Sequence, residues 1–163
     1  MLNDRKKVLE YLKSSDIHYT IIEHLPTPTI EDAIKYWGKM EATHCKNLFF
    51  RNHKGSKHYL VIIEHKKQLI IRNLEQKLKQ GKLSFASEKR MAKYLAIQAG
   101  SVSLFGLIND TENHVYVFLD KDLLMSEFIS FHPNDNTASI KISQGDFRKF
   151  LTDSGNSYEF LEL

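Results

Sequence analysis

The stretch that decides the fold is CKNLFFRNHKGSKHYLVIIEH, residues 45–65. Two runs of apolar and β-branched residues flank the turn-forming NHKG, which is the pattern of an antiparallel hairpin. Lys46 is unusual in this stretch, because it stands at the mouth of a strand that otherwise runs apolar. A lysine held there can place its ammonium in a cleft as a fixed positive charge. The hairpin therefore predicts two paired strands and one element of a site.

The segments around the hairpin alternate between helical and strand patterns. Helical spacing and capping residues predict five helices: residues 3–14, TPTIEDAIKYW with a cap at Thr29, residues 73–80, residues 87–97 beginning at Ser87, and SQGDFRKFLTDSG closed by Gly155. Period-two alternation predicts further strands in HYTIIEH, HVYVFLD, EFISF and TASIKIS. This order predicts an α/β fold, a mixed sheet with surrounding helices, in a single domain over residues 1–163.

Bulk composition narrows the function classes. The chain has 163 residues, 42% of them hydrophobic and 26% charged, and contains no apolar run long enough for a membrane helix. Its start lacks a secretory signal and its single cysteine, Cys45, offers no intramolecular disulfide, so a cytoplasmic location is expected. The net charge of +3 is too small for a protein that binds duplex DNA by charge alone.

Common cofactor motifs are absent. No HExxH, HxH or CxxC is found, so a zinc site is not expected, and no Walker loop or GxGxxG follows a strand. Cys45 and His132 in principle form a thiol nucleophile with its base, but a lone cysteine beside an apolar strand is usually a small buried hydrophobe. Neither a metal nor any other cofactor is predicted.

Two further segments suggest chemistry on an ester. AGSVSLFG, residues 99–106, is a glycine-rich turn whose backbone amides can converge on an oxygen anion. His132 precedes Pro133 in FHPNDNTASI, where it either leads into a tight turn or lines a site. A lysine, backbone donors and a histidine together describe a site for a carbonyl ester.

Four motifs in order resemble a known family. CKNLFFRNHKGSKHYLVII, KLSFAS, AGSVSLFGLIND and FHPNDNTASIKIS resemble the YbaK-like aminoacyl-tRNA deacylases, over residues 5 to 152. Within that family the chain most resembles the freestanding prolyl-tRNA editing proteins of the ProXp-ala or PrdX type, which are similar to the editing domain of bacterial prolyl-tRNA synthetase. The resemblance implies a partly barrel-like mixed sheet and metal-free hydrolysis, in trans, of alanine wrongly attached to proline tRNA.

The resemblance also implies roles for individual residues. The family lysine, glycine and histidine correspond to Lys46, Gly100 and His132, the predicted catalytic residues. The predicted substrate-binding residues are Asn47, Ser101, Phe105, Gly106 and Tyr19. Leu104 replaces a proline that is usual in the family loop, and Ala138 stands where a second threonine is common, so the geometry of the loop amides is open.

The predicted mechanism is attack of water on the ester between the amino acid and the terminal adenosine. Amides around Gly100 and Ser101 would stabilise the oxyanion, while Lys46 would hold the substrate by charge and His132 would position the aminoacyl group or water. Pocket size would discriminate alanine from proline. The candidate wall residues are Tyr19, Ile21, Ile30 and Ile62.

The expected partner is mischarged tRNA(Pro), with prolyl-tRNA synthetase or an elongation factor as further candidates, and with no DNA and no membrane. Lysines of residues 64–83 either form a solvated face, which the charge pattern favours, or contact phosphates, with Lys82 the preferred tRNA contact. Two alternatives stay open: deacylation of another mischarged tRNA, such as Cys-tRNA(Pro) or a Ser or Thr ester, and a catalytically silent tRNA-binding module.

Overall fold

The computed structural model describes residues 2–27, 29–38 and 40–163. Five α-helices are present in these ranges: α1 (Leu2–Ser14), α2 (Ile30–Trp37), α3 (Ile71–Leu78), α4 (Glu88–Leu95) and α5 (Gln144–Ser154). The strands are β1 (Tyr19–Glu23), β2 (Thr43–Arg51), β3 (His58–Glu64), β4 (Ser84–Phe85), β5 (Tyr116–Asp120), β6 (Phe128–Phe131), β7 (Ala138–Ser143) and β8 (Tyr158–Leu161). Within the described ranges, no helix is long and apolar enough to cross a bilayer.

The strands form one mixed sheet of eight strands in the order β1-β7-β6-β2-β3-β5-β8, with β4 added on β2. The β2–β3 hairpin is antiparallel and stands at the centre, as its sequence predicts. β6 pairs parallel with β2, and β5 pairs parallel with β3. The predicted mixed α/β fold is therefore confirmed.

Strand β2 has one fully paired edge and one interrupted edge. Toward β3, the His65 amide donates to the His44 carbonyl at 2.9 Å and the Asn52 amide donates to the Lys57 carbonyl at 3.0 Å. Backbone groups of an antiparallel strand alternate between its two edges, so the even-numbered residues bond to β3. The backbone of Asn47 consequently faces the opposite edge.

That opposite edge is shared by two short partners. β6 pairs only with Thr43 and His44, and β4 pairs only with Phe50 and Arg51. Between these two contacts the sheet is open along residues 45–48, and we call this opening the β2 gap. Because a strand's unpaired backbone groups need other partners, the β2 gap is the natural place for a bound molecule.

Helices cover both faces of the sheet. The larger core cluster joins apolar side chains of α1, α4 and α5 to one face, with Phe49 and Ile62 among the sheet residues. A smaller cluster on the other face contains Phe50 and Ile63 together with Leu74 of α3. The β2 gap therefore lies in a sheet that has a packed apolar layer on each face.

Two helices end before their predicted ends, and α3 also begins at Ile71, two residues before its predicted start. α3 ends at Leu78 and α4 ends at Leu95, because Lys79 and Ala96 adopt left-handed conformations with φ of 53° and cap the helices. The caps at Thr29, Ser87 and Gly155 lie where the sequence indicates. Pro28, part of the stretch assigned to the second predicted helix, lies outside the described residues.

Several short elements were not predicted from the sequence. β8 and β4 were not predicted, and AGSVSLFGLIND, expected to be no plain helix, contains a 3-10 helix over Leu104–Asn109. A second 3-10 helix spans Lys121–Met125. The two residues of β4 are too few to show alternation, and β8 is recognisable only through its parallel pairing with β5.

Candidate active site

A pocket of about 270 Å³ opens at the β2 gap. Residues from β2, α2 and two loops form its wall. The lining residues are Thr27, Thr29, Ile30, Ala33, Trp37, Cys45, Lys46, Asn47, Leu48, Phe49, Phe85, Met91, Gly100, Val102 and His132. The pocket thus brings together Lys46, Asn47, Gly100 and His132, which are distant in sequence.

The register of the sheet places Lys46 and His132 on opposite sides of the gap. β6 runs parallel to β2 with Thr43 opposite Ile129 and His44 opposite Ser130. Continued along the chain, that register sets His132 level with Lys46. β6 stops pairing with β2 after Ser130, so neither Phe131 nor His132 is paired with β2, and the pocket that Lys46 and His132 both line opens there.

The Lys46 side chain is half-buried and carries the positive charge of the pocket wall. None of the other described residues forms an ion pair or a hydrogen bond with its ammonium. A half-buried ammonium without a protein partner retains its full capacity to hold an anion or a polarised oxygen.

The loop after α4 contributes backbone donors. Gln98 to Ser101 form a β-turn in which the Ser101 amide donates to the Gln98 carbonyl at 3.1 Å. Gly100 occupies the third position of that turn with φ of 83°, a conformation that only glycine adopts readily. The amides of Gly100 and Val102 have no acceptor among the described residues, and both residues line the pocket.

This geometry corrects one prediction. The Ser101 amide is already bonded within the turn, so it is not free to stabilise an oxyanion. The two available donors of the loop are instead the amides of Gly100 and Val102, one on each side of Ser101. Alternate residues of a turn point their amides in different directions, which a sequence motif alone does not reveal.

Asn47 fixes the loop to the sheet. Its side-chain oxygen accepts a hydrogen bond from the Leu104 amide at 3.1 Å, at the first residue of the 3-10 helix. Ser103 caps the same helix by accepting from the Phe105 amide at 3.1 Å. Asn47 therefore acts on the site by holding the Gly100 loop against β2, in addition to lining the pocket.

His132 is held in one tautomer. Its Nδ1 lies 2.7 Å from the Ala138 carbonyl, which can only accept, so Nδ1 carries the hydrogen. Its Nε2 lies 3.5 Å from the Thr27 hydroxyl, whose hydrogen is directed to the Asn136 carbonyl at 3.0 Å. Burial lowers the pKa of His132, so at neutral pH Nε2 presents a free lone pair to the pocket.

An ion pair from α1 supports the loop that follows His132. The Arg5 Nε lies 3.1 Å from Asp135 Oδ2, and the Thr137 amide donates to Asp135 Oδ1 at 2.7 Å. Burial by itself raises the pKa of Asp135, but the hydrogen bonds from Thr137 and the Arg5 charge outweigh it and lower that pKa. The loop is therefore pinned electrostatically to the first helix.

Several predicted site residues lie outside the pocket lining. Phe105 is fully buried and packs edge-on against Phe131 and Phe150, and Gly106 lies so close to Ile97 that an added Cβ would approach its Cδ1 to 2.5 Å. Ser101 is buried in the loop. These three residues support the site from behind, and their role in binding stays a prediction.

The predicted wall residues divide in the same way. Ile30 lines the pocket, whereas Tyr19 lies on β1 opposite Ile142, away from the β2 gap. Ile62 is fully buried in the larger core cluster, and Ile21 packs against that cluster. Alternation identifies strands, but it does not say which of two faces a pocket will occupy.

Nine lining residues were not proposed as site residues from the sequence: Thr27, Thr29, Ala33, Trp37, Leu48, Phe49, Phe85, Met91 and Val102. The apolar face of α2, with Ala33 and Trp37, was recognised as a helical stripe, but a stripe has the same pattern whether it meets a core or a ligand pocket. The signal that identifies Phe85 is its exposure of 60%, which appears only in the structure.

Cys45 lies in the pocket wall but has the wrong environment for a nucleophile. Its side chain is buried, and desolvation raises the pKa of the thiol, with Glu64 and Asp120 adding to the shift. Its sulfur contacts the Thr43 carbonyl at 3.8 Å. A thiol that stays protonated does not attack an ester.

Cys45→Ala is therefore expected to keep most of the rate of the ester hydrolysis that the resemblance implies, because a buried, protonated thiol is a poor nucleophile. The measurement is the initial rate of ester hydrolysis on mischarged tRNA(Pro), with the melting temperature as a check on folding. A loss greater than about a hundredfold, the scale of a missing catalytic group, in a folded variant would restore the thiol as nucleophile.

The lysines of residues 64–83 do not form one free basic face. The Lys67 ammonium lies 2.6 Å from the buried Asp120 and 2.9 Å from Asp122, so it serves as a structural counter-ion. Lys82 is exposed and precedes Leu83 at the approach to β4. Contact of Lys82 with tRNA stays a prediction.

The described residues contain no group of three or more His, Cys, Asp or Glu side chains arranged to hold a metal ion. The groups that the pocket offers to a substrate are an ammonium, an imidazole lone pair and backbone amides. Such a set binds and polarises a carbonyl oxygen next to a hydrogen-bonded water.

Comparisons with known proteins agree with this chemistry. The chain is 38% identical over 162 residues to the prolyl-tRNA editing protein ProX of Acetoanaerobium sticklandii, covering 99% of both chains. It is 30% identical to the prolyl-tRNA synthetase associated domain-containing protein 1 of Danio rerio, covering 92% of this chain and 82% of that protein.

Solved structures show the same fold. A candidate trans-editing enzyme for prolyl-tRNA synthetase superimposes with a TM-score of 0.73 at 19% identity, covering 98% of this chain and 97% of the other. The pattern of the family described as "Aminoacyl-tRNA editing domain" matches residues 24–150. These matches confirm the resemblance drawn from the four motifs and the prediction of an editing enzyme: the chain belongs to the aminoacyl-tRNA editing domain family.

Proposed function

We propose that this protein hydrolyses mischarged tRNA(Pro) in trans, and that alanine is the amino acid it removes. Family membership and the likeness to a prolyl-tRNA editing protein support the assignment of mischarged tRNA(Pro) as the substrate. The observation that carries the chemistry is the pocket at the β2 gap, which Lys46 and His132 line together with Gly100 and Val102, whose amides have no acceptor among the described residues.

The reaction is addition of water to the ester carbonyl, followed by loss of the ribose oxygen. The water oxygen forms a bond to the carbonyl carbon while the carbonyl oxygen becomes an oxyanion. The Gly100 and Val102 amides donate to that oxyanion, and Lys46 adds a positive charge beside it. Collapse breaks the bond to the ribose oxygen, which takes up the proton given up by the attacking water, and releases alanine and uncharged tRNA.

His132 acts as an acceptor in this scheme. Its neutral Nε2 is fixed by the Ala138 carbonyl behind it, so it can accept a hydrogen bond from the attacking water or from the substrate ammonium. The vicinal ribose hydroxyl offers a second route for moving the water proton, as the family analogy implies. By either route, His132 positions the water or the substrate ammonium, and its imidazole is neutral in the resting enzyme.

Discrimination is proposed to be steric. The pocket is only about 270 Å³, and Ile30, Ala33 and Trp37 of α2 form its apolar side. Apolar contacts alone separate near-isosteres by about 1–3 kcal/mol, so exclusion of the larger proline ring by a rigid wall is the more effective filter. The wall would admit alanine and reject proline, which protects correctly charged tRNA.

The proposal includes one domain over residues 1–163, a cytoplasmic location and mischarged tRNA(Pro) as partner. The proposed partners also include prolyl-tRNA synthetase or an elongation factor, because the mischarged tRNA passes between them. Neither DNA nor a membrane is part of the proposed function.

The test is a panel of proline tRNAs charged with alanine, cysteine, serine or proline, in the presence and absence of EDTA. We expect fast loss of the alanine ester, survival of the proline ester and no effect of EDTA. If another ester of the panel is hydrolysed faster than the alanine ester, the amino acid of that ester replaces alanine as the proposed substrate. Loss of activity on chelation, restored by one metal, would overturn the metal-free mechanism.

A further inference from the structure

We propose that Phe85 is the platform on which the base of the 3′-terminal adenosine stacks while its aminoacyl ester lies in the β2 gap. This inference rests on the proposed function and deepens it, because it assigns a second part of the substrate to a named side chain.

Phe85 is exposed where an aromatic side chain is rarely left uncovered. It stands in KLSFAS, forms half of β4, and is 60% exposed although it lines the pocket. Other exposed apolar side chains, such as Met125 at 89%, lie outside the pocket lining. An exposed aromatic ring at a pocket mouth is the arrangement by which proteins bind unpaired nucleobases.

The ring is held in place from behind. Phe85 pairs with Phe50 across the β2–β4 ladder, and the two rings stack with centroids 4.6 Å apart and planes 26° from parallel. Phe50 is fully buried, so it fixes one face of the Phe85 ring and leaves the other face to solvent. A ring ordered before binding loses little conformational entropy when a base stacks on it.

The distance to the ester site suits one nucleoside. Lys46, Leu48 and Phe50 alternate onto one face of β2, and Phe85 extends this row beside Phe50. The four residue-to-residue steps from Lys46 to Phe50 along the strand span about 13 Å. An aminoacyl group at Lys46 with its ribose in the β2 gap would carry the base toward Phe85, so the row follows the length of an aminoacylated nucleoside.

The experiment uses two stable ligands: the amide analogue of 3′-alanyladenosine, and the same alanylamide on a ribose that lacks the base. Trp37, the single tryptophan of the chain, lines the pocket and reports binding by its fluorescence. For the wild-type protein we expect the base to strengthen binding by about tenfold, the scale of one stacked base.

Phe85→Leu should weaken binding of the base-bearing ligand by about tenfold and leave the base-free ligand unchanged. Phe85→Trp should restore the difference, because it restores the aromatic face, and Met125→Ala serves as the control for loss of an exposed apolar side chain. The melting temperature of each variant confirms folding. On alanyl-tRNA(Pro), Phe85→Leu should raise KM more than it lowers kcat.

Equal weakening of both ligands by Phe85→Leu, or no preference of the wild-type protein for the base, would overturn the stacking role while hydrolysis of alanyl-tRNA(Pro) continued. A wild-type protein that binds neither ligand and hydrolyses no ester of the panel would overturn the proposed function, and the stacking role with it. The two failures are therefore distinguishable.

Discussion

Lys46→Ala is expected to lower kcat for alanyl-tRNA(Pro) by about a hundredfold while the melting temperature stays close to that of the wild-type protein. The ammonium has no partner among the other described residues, so its removal breaks no structural ion pair and leaves no buried carboxylate unpaired. What is lost is a charge beside the developing oxyanion, and loss of one such stabilising group commonly costs about 2.7–4 kcal/mol of transition-state free energy.

Two further variants make the Lys46 result specific. Lys149→Ala removes an exposed lysine of α5 that does not line the pocket, and it should retain the full rate. Lys46→Arg keeps the charge but changes its geometry, so its rate should fall between those of the wild-type protein and Lys46→Ala. Full activity of Lys46→Ala, or a loss explained by unfolding, would remove Lys46 from the site.

Arg5→Ala should have the largest effect on stability, a loss of about 3 kcal/mol in the free energy of unfolding. The variant leaves the Asp135 carboxylate, whose side chain is 1% exposed, without its counter-ion. The Thr137 hydrogen bonds remain and limit the loss. Because Asp135 orders the loop after His132, the hydrolytic rate of the folded fraction should also fall. Denaturant unfolding and single-turnover kinetics give the two measurements.

The matched control is Lys6→Ala, the next residue of α1, whose side chain is 75% exposed and 3.9 Å from Glu10. It removes the same charge from the same helix and should change the free energy of unfolding by no more than about 0.5 kcal/mol. If Arg5→Ala and Lys6→Ala unfold at the same denaturant concentration, the ion pair does not hold the loop.

The stability difference between the wild-type protein and Arg5→Ala should also depend on pH. The pKa of Asp135 is lowered in the folded protein, so its stabilising contribution is present above the unfolded pKa of about 3.9 and is lost as pH falls toward the folded pKa. Arg5→Ala removes part of the cause of that lowering. The two unfolding free energies should therefore converge below about pH 4.

Local signals made much of the fold predictable. The hairpin at NHKG and the caps at Thr29, Ser87 and Gly155 depend on side chains within a few residues, and the structure confirms them. The ends of α3 and α4 were not predictable, because Lys79 and Ala96 take left-handed conformations that their residue types do not favour. β4 exists only through its pairing with β2.

The candidate site was predictable in its residues more than in its geometry. Lys46, Asn47, Gly100 and His132 come together as the motifs imply. The free Val102 amide was not foreseeable, because it depends on how the turn at Gly100 is closed. The β2 gap was not predictable from the sequence either, because it forms where β4 and β6 each pair with only two residues of β2 and leave residues 45–48 unpaired between them.

The β2 gap also implies a conflict between durability and catalysis. If β6 continued two residues further beside β2, it would satisfy the backbone that now faces the opening and give a more regular sheet. The same change would fill the space between Lys46 and His132. Selection for thermal stability alone would favour that closure. Variants selected only for a higher melting temperature are therefore expected to be more stable but inactive.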